Sequence, residues 1–127
     1  MKIIRIGVTG GRYYKNKEKV WKVLNQAYST LGDRMFLVVG CAPGLDRYAR
    51  WWADENLKPD MHKTFYADWD NLGKAAGHRR NYAMLQSGLD MLIQFPGGPG
   101  TANMREHVDE FNKQCPLMPI RIMEITE

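Results

Sequence analysis

Apolar and polar positions alternate along this chain in two periods. Residues 2–9 (KIIRIGVT) are rich in β-branched residues and end at Gly10-Gly11, which predicts a first strand. Val20, Val23, Leu24, Ala27 and Leu31 recur at helical spacing, and Gly32 follows as a stop. Residues 35–39 (MFLVV) form an unbroken apolar run, the pattern of a strand covered on both faces. After the turn Gly40 to Gly44, a second helical stripe runs through Leu45, Tyr48, Ala49, Trp52 and Ala53. Residues 61–66 predict a third strand, and a loop through Trp69 and Gly73 leads to a helix over 76–87. Residues 91–95 predict a fourth strand, and Met104, Val108 and Phe111 mark a fourth helix. Residues 119–125 predict a fifth strand.

This βαβαβαβαβ order predicts an α/β fold, a Rossmann-like parallel sheet of about five strands with helices on both faces. Ligands of such sheets bind outside the carboxyl ends of the strands. The 127 residues are expected to form one domain, with no repeat or linker. The longest apolar runs are too short to span a bilayer, so no membrane partner is expected. No secretory signal is evident, and Cys41 and Cys115 do not make a disulfide framework; reduced thiols in a cytoplasmic setting are expected.

Charge sharpens this picture. The net charge is +4, but residues 1–34 carry +6 and residues 81–127 carry −3. A basic N-terminal third attracts phosphates. Lys15, Lys17, Lys19 and Lys22 also fit the solvated face of a helix, so charge alone does not decide.

The loops at the strand ends hold the candidate chemistry. Pro96-Gly97-Gly98-Pro99-Gly100-Thr101 leads straight into a helix. Its glycines let successive N–H groups line an anion nest, and the helix N-terminus adds its dipole. A plain tight turn with Thr101 as N-cap is the alternative. Thr9-Gly10-Gly11-Arg12 is a weaker version of the same design, with Arg12 as a phosphate fork or a surface arginine. No Gly-Lys-Ser/Thr follows it, which disfavours a conventional ATPase or GTPase. In Gly40-Cys41-Ala42-Pro43-Gly44-Leu45-Asp46, the carboxylate suits ribose hydroxyls or a helix cap. Cys41 reads as a reactive thiol or a small buried residue. Asp68 and Asp70 flank Trp69, an indole able to stack on a base or to close the core edge. Arg80 and Asn81, near the start of the third predicted helix, suit a phosphate or a sugar. His62, His78 and His107 are scattered, so no metal site is expected, and no cofactor beyond the ligand.

These motifs in this order resemble the YspA/YpsA-related branch of the SLOG superfamily, over residues 6 to about 111. That superfamily includes the LOG-type phosphoribohydrolases and the DNA-processing protein DprA. The resemblance implies a Rossmann-like fold, a nucleotide or nucleotide-derived ligand and self-association. Trp51, off the apolar stripe of its helix, suits such an interface. LOG-type enzymes carry a His-x-Arg segment, matched by His78-Arg79-Arg80, and a glutamate closing Pro-Gly-Gly-x-Gly-Thr-x-x-Glu. Here Met104 holds the glutamate position, and a thioether cannot move a proton. Glu106 lies roughly 200° further round a helix. Capture of an ADP-ribose-like metabolite or a nucleotide second messenger, by a sensor or sequestering protein, is therefore the leading expectation. Nucleotide N-glycosidase chemistry comes second and would draw on Arg80, Asp46 or Asp68. Nucleic-acid binding, by analogy with DprA and from the pI near 9.1, comes third.

Overall fold

The chain winds a five-stranded parallel sheet in the order β3-β2-β1-β4-β5. The computed structural model describes residues 1–126, apart from the side chain of Lys74. The strands are β1 (Ile4–Thr9), β2 (Met35–Val39), β3 (His62–Thr64), β4 (Met91–Gln94) and β5 (Arg121–Glu124). Between them run α1 (Lys17–Leu31), α2 (Leu45–Asn56), the short α3 (Trp69–Leu72), α4 (Ala76–Gln86) and α5 (Pro99–Gln114). The second strand has the predicted bounds, and the other four are shorter at their ends than the apolar pattern predicts. In the third, Phe65 and Tyr66 lie past the ladder, although Phe65 N still donates to Val39 O at 2.8 Å. The loop expected through Trp69 contains the single turn of α3, because Asp68 caps it by accepting from Asn71 N at 3.3 Å.

The alternation along β2 builds both cores. Met35, Leu37 and Val39 face α1 and α2, where they meet Val20, Leu24, Ala49 and the fully buried Trp52. Val38 faces the other side with Leu92, Met84, Met104 and Val108 from β4, α4 and α5. An apolar run without alternation is what a strand covered twice requires. Trp52 keeps its one polar atom satisfied by donating from Nε1 to Asn25 Oδ1 at 2.7 Å, which ties α2 to α1.

The order of the strands fixes where a ligand can enter. From β1 the chain moves outward through β2 to β3, then returns to β4 on the opposite side of β1. The loops leaving β1 and β4 therefore part to opposite faces of the sheet, and a crevice opens between them. Among the described residues, no helix is long and apolar enough to cross a membrane.

Candidate functional site

Three loops meet at this crevice through the backbone of one glycine. Gly11 N donates to Pro96 O at 2.9 Å, and Gly11 O accepts from Leu45 N and Tyr14 N, each at 3.1 Å. The loops after β1, β2 and β4 are thus locked together. Close packing explains several glycines. A Cβ on Gly10 would come within 2.5 Å of Leu45 Cγ, and Gly44 takes φ 75°, a left-handed backbone that favours glycine.

Beneath these loops lies a cavity of about 340 Å³. Thr9, Gly10, Gly11 and Arg12 line it from the end of β1, Gly40, Cys41, Ala42 and Asp46 from β2 and α2, and Trp69 from α3. Arg80 and Asn81 of α4 and Gly98, Gly100 and Thr101 of α5 close it. Most of the residues singled out for binding thus share one cavity. Gly44, Pro96 and Gly97 shape the loops without lining it. Asp68 stays out, because its carboxylate is engaged with Asn71, accepting from Nδ2 at 2.9 Å as well as from N. The structure adds Val8, Pro43, Gly77, His78, Met84 and Pro99 to the lining.

The wall at the end of β2 is a buried charged cluster. Asp46 lies in the first turn of α2 and is 6% exposed. Gly44, not Asp46, is the N-cap of that helix. Asp46 Oδ2 accepts from Ala42 N at 3.1 Å and stands 3.9 Å from Arg80 Nη1. Burial pushes the Asp46 carboxyl up to about 6, against the opposing pull of Arg80, the Ala42 N–H and Arg50. Arg80 donates from Nε to Asn81 Oδ1 at 3.0 Å and from Nη1 to Cys41 Sγ at 3.6 Å. The Cys41 sulfur also accepts from Ala67 N at 3.3 Å, so the thiol joins the ends of β2 and α4 to the segment after β3. Arg50, which the sequence does not single out, donates from Nη1 to Gly40 O at 3.0 Å and Ala42 O at 3.3 Å. Its one signal is its place a helical turn after Asp46.

The opposite wall is the start of α5. Gly98 is the N-cap and supplies no side-chain hydrogen bond, and Pro99 takes the first helical position. The first helical bond runs from Ala102 N to Gly98 O at 3.0 Å. The N–H groups of Gly100 and Thr101 precede it and have no intrahelical acceptor. Thr101 lies inside the first turn rather than at the cap, and its buried Oγ1 has no hydrogen-bond partner. Asn81 secures this turn to α4 by donating from Nδ2 to Gly100 O and Asn103 Oδ1, both at 3.1 Å. Trp69, half exposed, stands at the mouth beside Gly77, where a Cβ would touch its Cη2 at 3.4 Å. Met104, at the LOG-type glutamate position, is fully buried in the α4–α5 core and does not line the cavity. Glu106 is exposed.

Sheet order, glycine-locked loops and an uncapped helix N-terminus define a Rossmann-like domain with its cavity at the topological switch point. Residues 4–71 match the YspA, cpYpsA-related SLOG family, and the chain belongs to that family. It is also 34% identical over 100 residues to the Gene 61 protein of Mycobacterium phage D29, across 74% of this chain and 78% of that protein. The matched segment ends within α3, so Arg80, Asn81 and the α5 wall lie beyond it.

Proposed function

We propose that this protein binds a nucleotide-derived ligand, an ADP-ribose-like metabolite or a nucleotide second messenger, and holds it intact as a sensor or a sequestering protein. The observation that carries this reading is the Thr101 hydroxyl, which is buried, lacks a partner and borders a cavity at an uncapped helix N-terminus. A buried donor without an acceptor costs ~1–3 kcal/mol, and a bound phosphate oxygen would relieve that cost. The Gly100 and Thr101 N–H groups and the α5 dipole add to the attraction. Trp69 offers its ring to a base, and Asp46 offers its second carboxyl oxygen to a ribose hydroxyl.

Mass spectrometry of small molecules released by denaturing the protein tests this, after incubation with a panel of nucleotides and ADP-ribose. One intact compound is expected, retained by the wild type and lost from Arg80→Ala. Release of a free base with a ribose phosphate would overturn intact capture.

One observation favours cleavage of an N-ribosyl bond as a second reading. A carboxyl raised to about 6 holds a proton close to neutrality, as a general acid must, and Asp46 borders the cavity. Turnover of a nucleotide that disappears in Asp46→Asn would establish it.

A further inference from the structure

The chain that leads from β3 to α4 passes over the cavity mouth as a strap. Among the described side chains, none in residues 68–75 is buried, whereas Ala76, the next residue, is. The loops after β1, β2 and β4 are tied to one another through Gly11, but the hydrogen bonds of α3 close on α3 itself. Asn71 N and Nδ2 and Leu72 N donate to Asp68, and Gly73 N donates to Trp69 O. Just before the strap, Ala67 N donates to Cys41 Sγ at 3.3 Å, and a thiol sulfur is a weak acceptor.

A single helical turn has no stability of its own in water. What holds α3 down is the packing of Trp69 and Leu72, three residues apart on one face of the turn. That packing is incomplete, since they remain 50% and 36% exposed. Gly73 ends the turn at φ 54°, and a Cβ there would meet nothing within 4 Å, so the chain has a free pivot at that point. Trp69 nevertheless lines the cavity, with its ring edge against Gly77. The segment thus combines few buried contacts and self-contained hydrogen bonds with one large side chain over the mouth, the marks of a unit that opens locally.

We propose that residues 68–75 are a lid that opens and closes over the cavity, with Trp69 as the group that seals the mouth. Closure would exclude water from Asp46 and the Thr101 hydroxyl, where it strengthens polar contacts. The proposal rests on the binding reading for what the lid encloses, whereas the motion itself needs no ligand.

Two measurements on the free chain test the motion. In hydrogen exchange, the amides of α3 are expected to exchange at least about a hundredfold faster than those of β1. In Cys115→Ser, which leaves Cys41 as the one thiol, N-ethylmaleimide must pass the mouth to reach the sulfur. Adding Trp69→Ala is expected to speed that labelling about tenfold, with an unchanged melting temperature and unchanged exchange in β1. A third measurement adds ADP-ribose, which is expected to slow exchange in α3 about tenfold or more in the wild type but not in Trp69→Ala. Should Trp69→Ala fail to fold, the wild-type exchange rates remain decisive. Amides of α3 as slow as those of β1, or labelling unmoved by Trp69→Ala, would overturn the lid. So would a compound that protects the amides of Gly100 and Thr101 and leaves α3 unchanged. Protection nowhere in the chain, with every nucleotide tried, would overturn the binding reading alone, because the first two measurements contain no ligand.

Discussion

Arg80 and Asp46 meet because Gly40, between them, has no side chain. The guanidinium Nη1 lies 3.9 Å from the carboxylate Oδ2, and a Cβ on Gly40 would fall 2.7 Å from both Arg80 Cζ and Asp46 Oδ2. The last turn of chain after β2 thus runs directly beneath a buried ion pair. At 3.9 Å the two groups attract without sharing a hydrogen bond, and that attraction does not offset the cost of burying the carboxylate. The cluster is held by the fold around it and adds little stability of its own.

That cost sets a pH dependence. The native carboxyl titrates at about 6 and the ordinary value is 3.8. As pH rises through this window, the unfolded chain has already released its proton while the native chain keeps it. Stability therefore falls with rising pH, by about 3 kcal/mol once both forms are ionised. Asp46→Asn is neutral at every pH and escapes the fall. Its melting temperature, relative to wild type, is expected to gain on the order of 10 °C between about pH 4 and pH 7.5. Thermal melts across that range check it; a constant or shrinking difference would show that Asp46 is ionised at no cost.

Thr101→Val separates binding from folding. Valine keeps the shape of threonine and removes a hydroxyl that makes no bond within the protein. Deleting an unsatisfied buried polar group is neutral or stabilising, so the melting temperature should hold or rise. A ligand phosphate would lose one hydrogen bond to a charged group, worth ~1.5–3 kcal/mol, or roughly tenfold to a hundredfold in affinity. Calorimetric titration with whichever nucleotide is retained provides the comparison. Unchanged affinity would remove Thr101 from the ligand's contacts.

The glycines after β4 are expected to divide by role. A Cβ on Gly97 would lie 2.6 Å from Gly11 N and 2.9 Å from Thr101 Cβ, so Gly97→Ala must push loops apart. A loss of ~1–3 kcal/mol is expected in denaturant unfolding. Cβ atoms on Gly98 and Gly100 meet nothing within 4 Å. Gly100→Ala, inside the first turn of α5, should hold or raise stability, while its methyl, at the cavity wall, lowers ligand affinity. Equal destabilisation by both variants would contradict this division.

These contrasts show what the sequence could reveal. The apolar run of β2 and the helical stripes of α1 and α2 specify which faces are buried, because burial on two sides or on one leaves different periods. From those follow the strand sequence and the loops that meet. The sequence does not reveal what a polar side chain does once loops converge. Asp68 beside Trp69 looks like a site residue, yet a neighbouring asparagine takes its carboxylate and turns it into a cap. Arg50 looks like a surface arginine, yet its guanidinium folds back onto two carbonyls of the loop that holds Asp46. Both outcomes depend on distances of a few ångströms between segments that periodicity does not relate.

Met104 offers the sharpest test of whether LOG-type chemistry can be restored. The LOG-type pattern has a glutamate where this chain has a methionine, so Met104→Glu looks like a simple replacement. The structure argues otherwise. Met104 is fully buried with Met84, Leu92 and Val108 and does not border the cavity. A carboxylate there would enter an apolar core with no partner, at a cost of several kcal/mol, or would keep its proton well above the usual range. The variant is expected to lose at least ~3 kcal/mol of stability at neutral pH, partly recovered in acid, and to gain no nucleotide hydrolysis. Unfolding in urea at two pH values, with product analysis of the folded fraction, tests both halves. A stable Met104→Glu protein that releases free base would mean that α5 can turn this position towards the ligand.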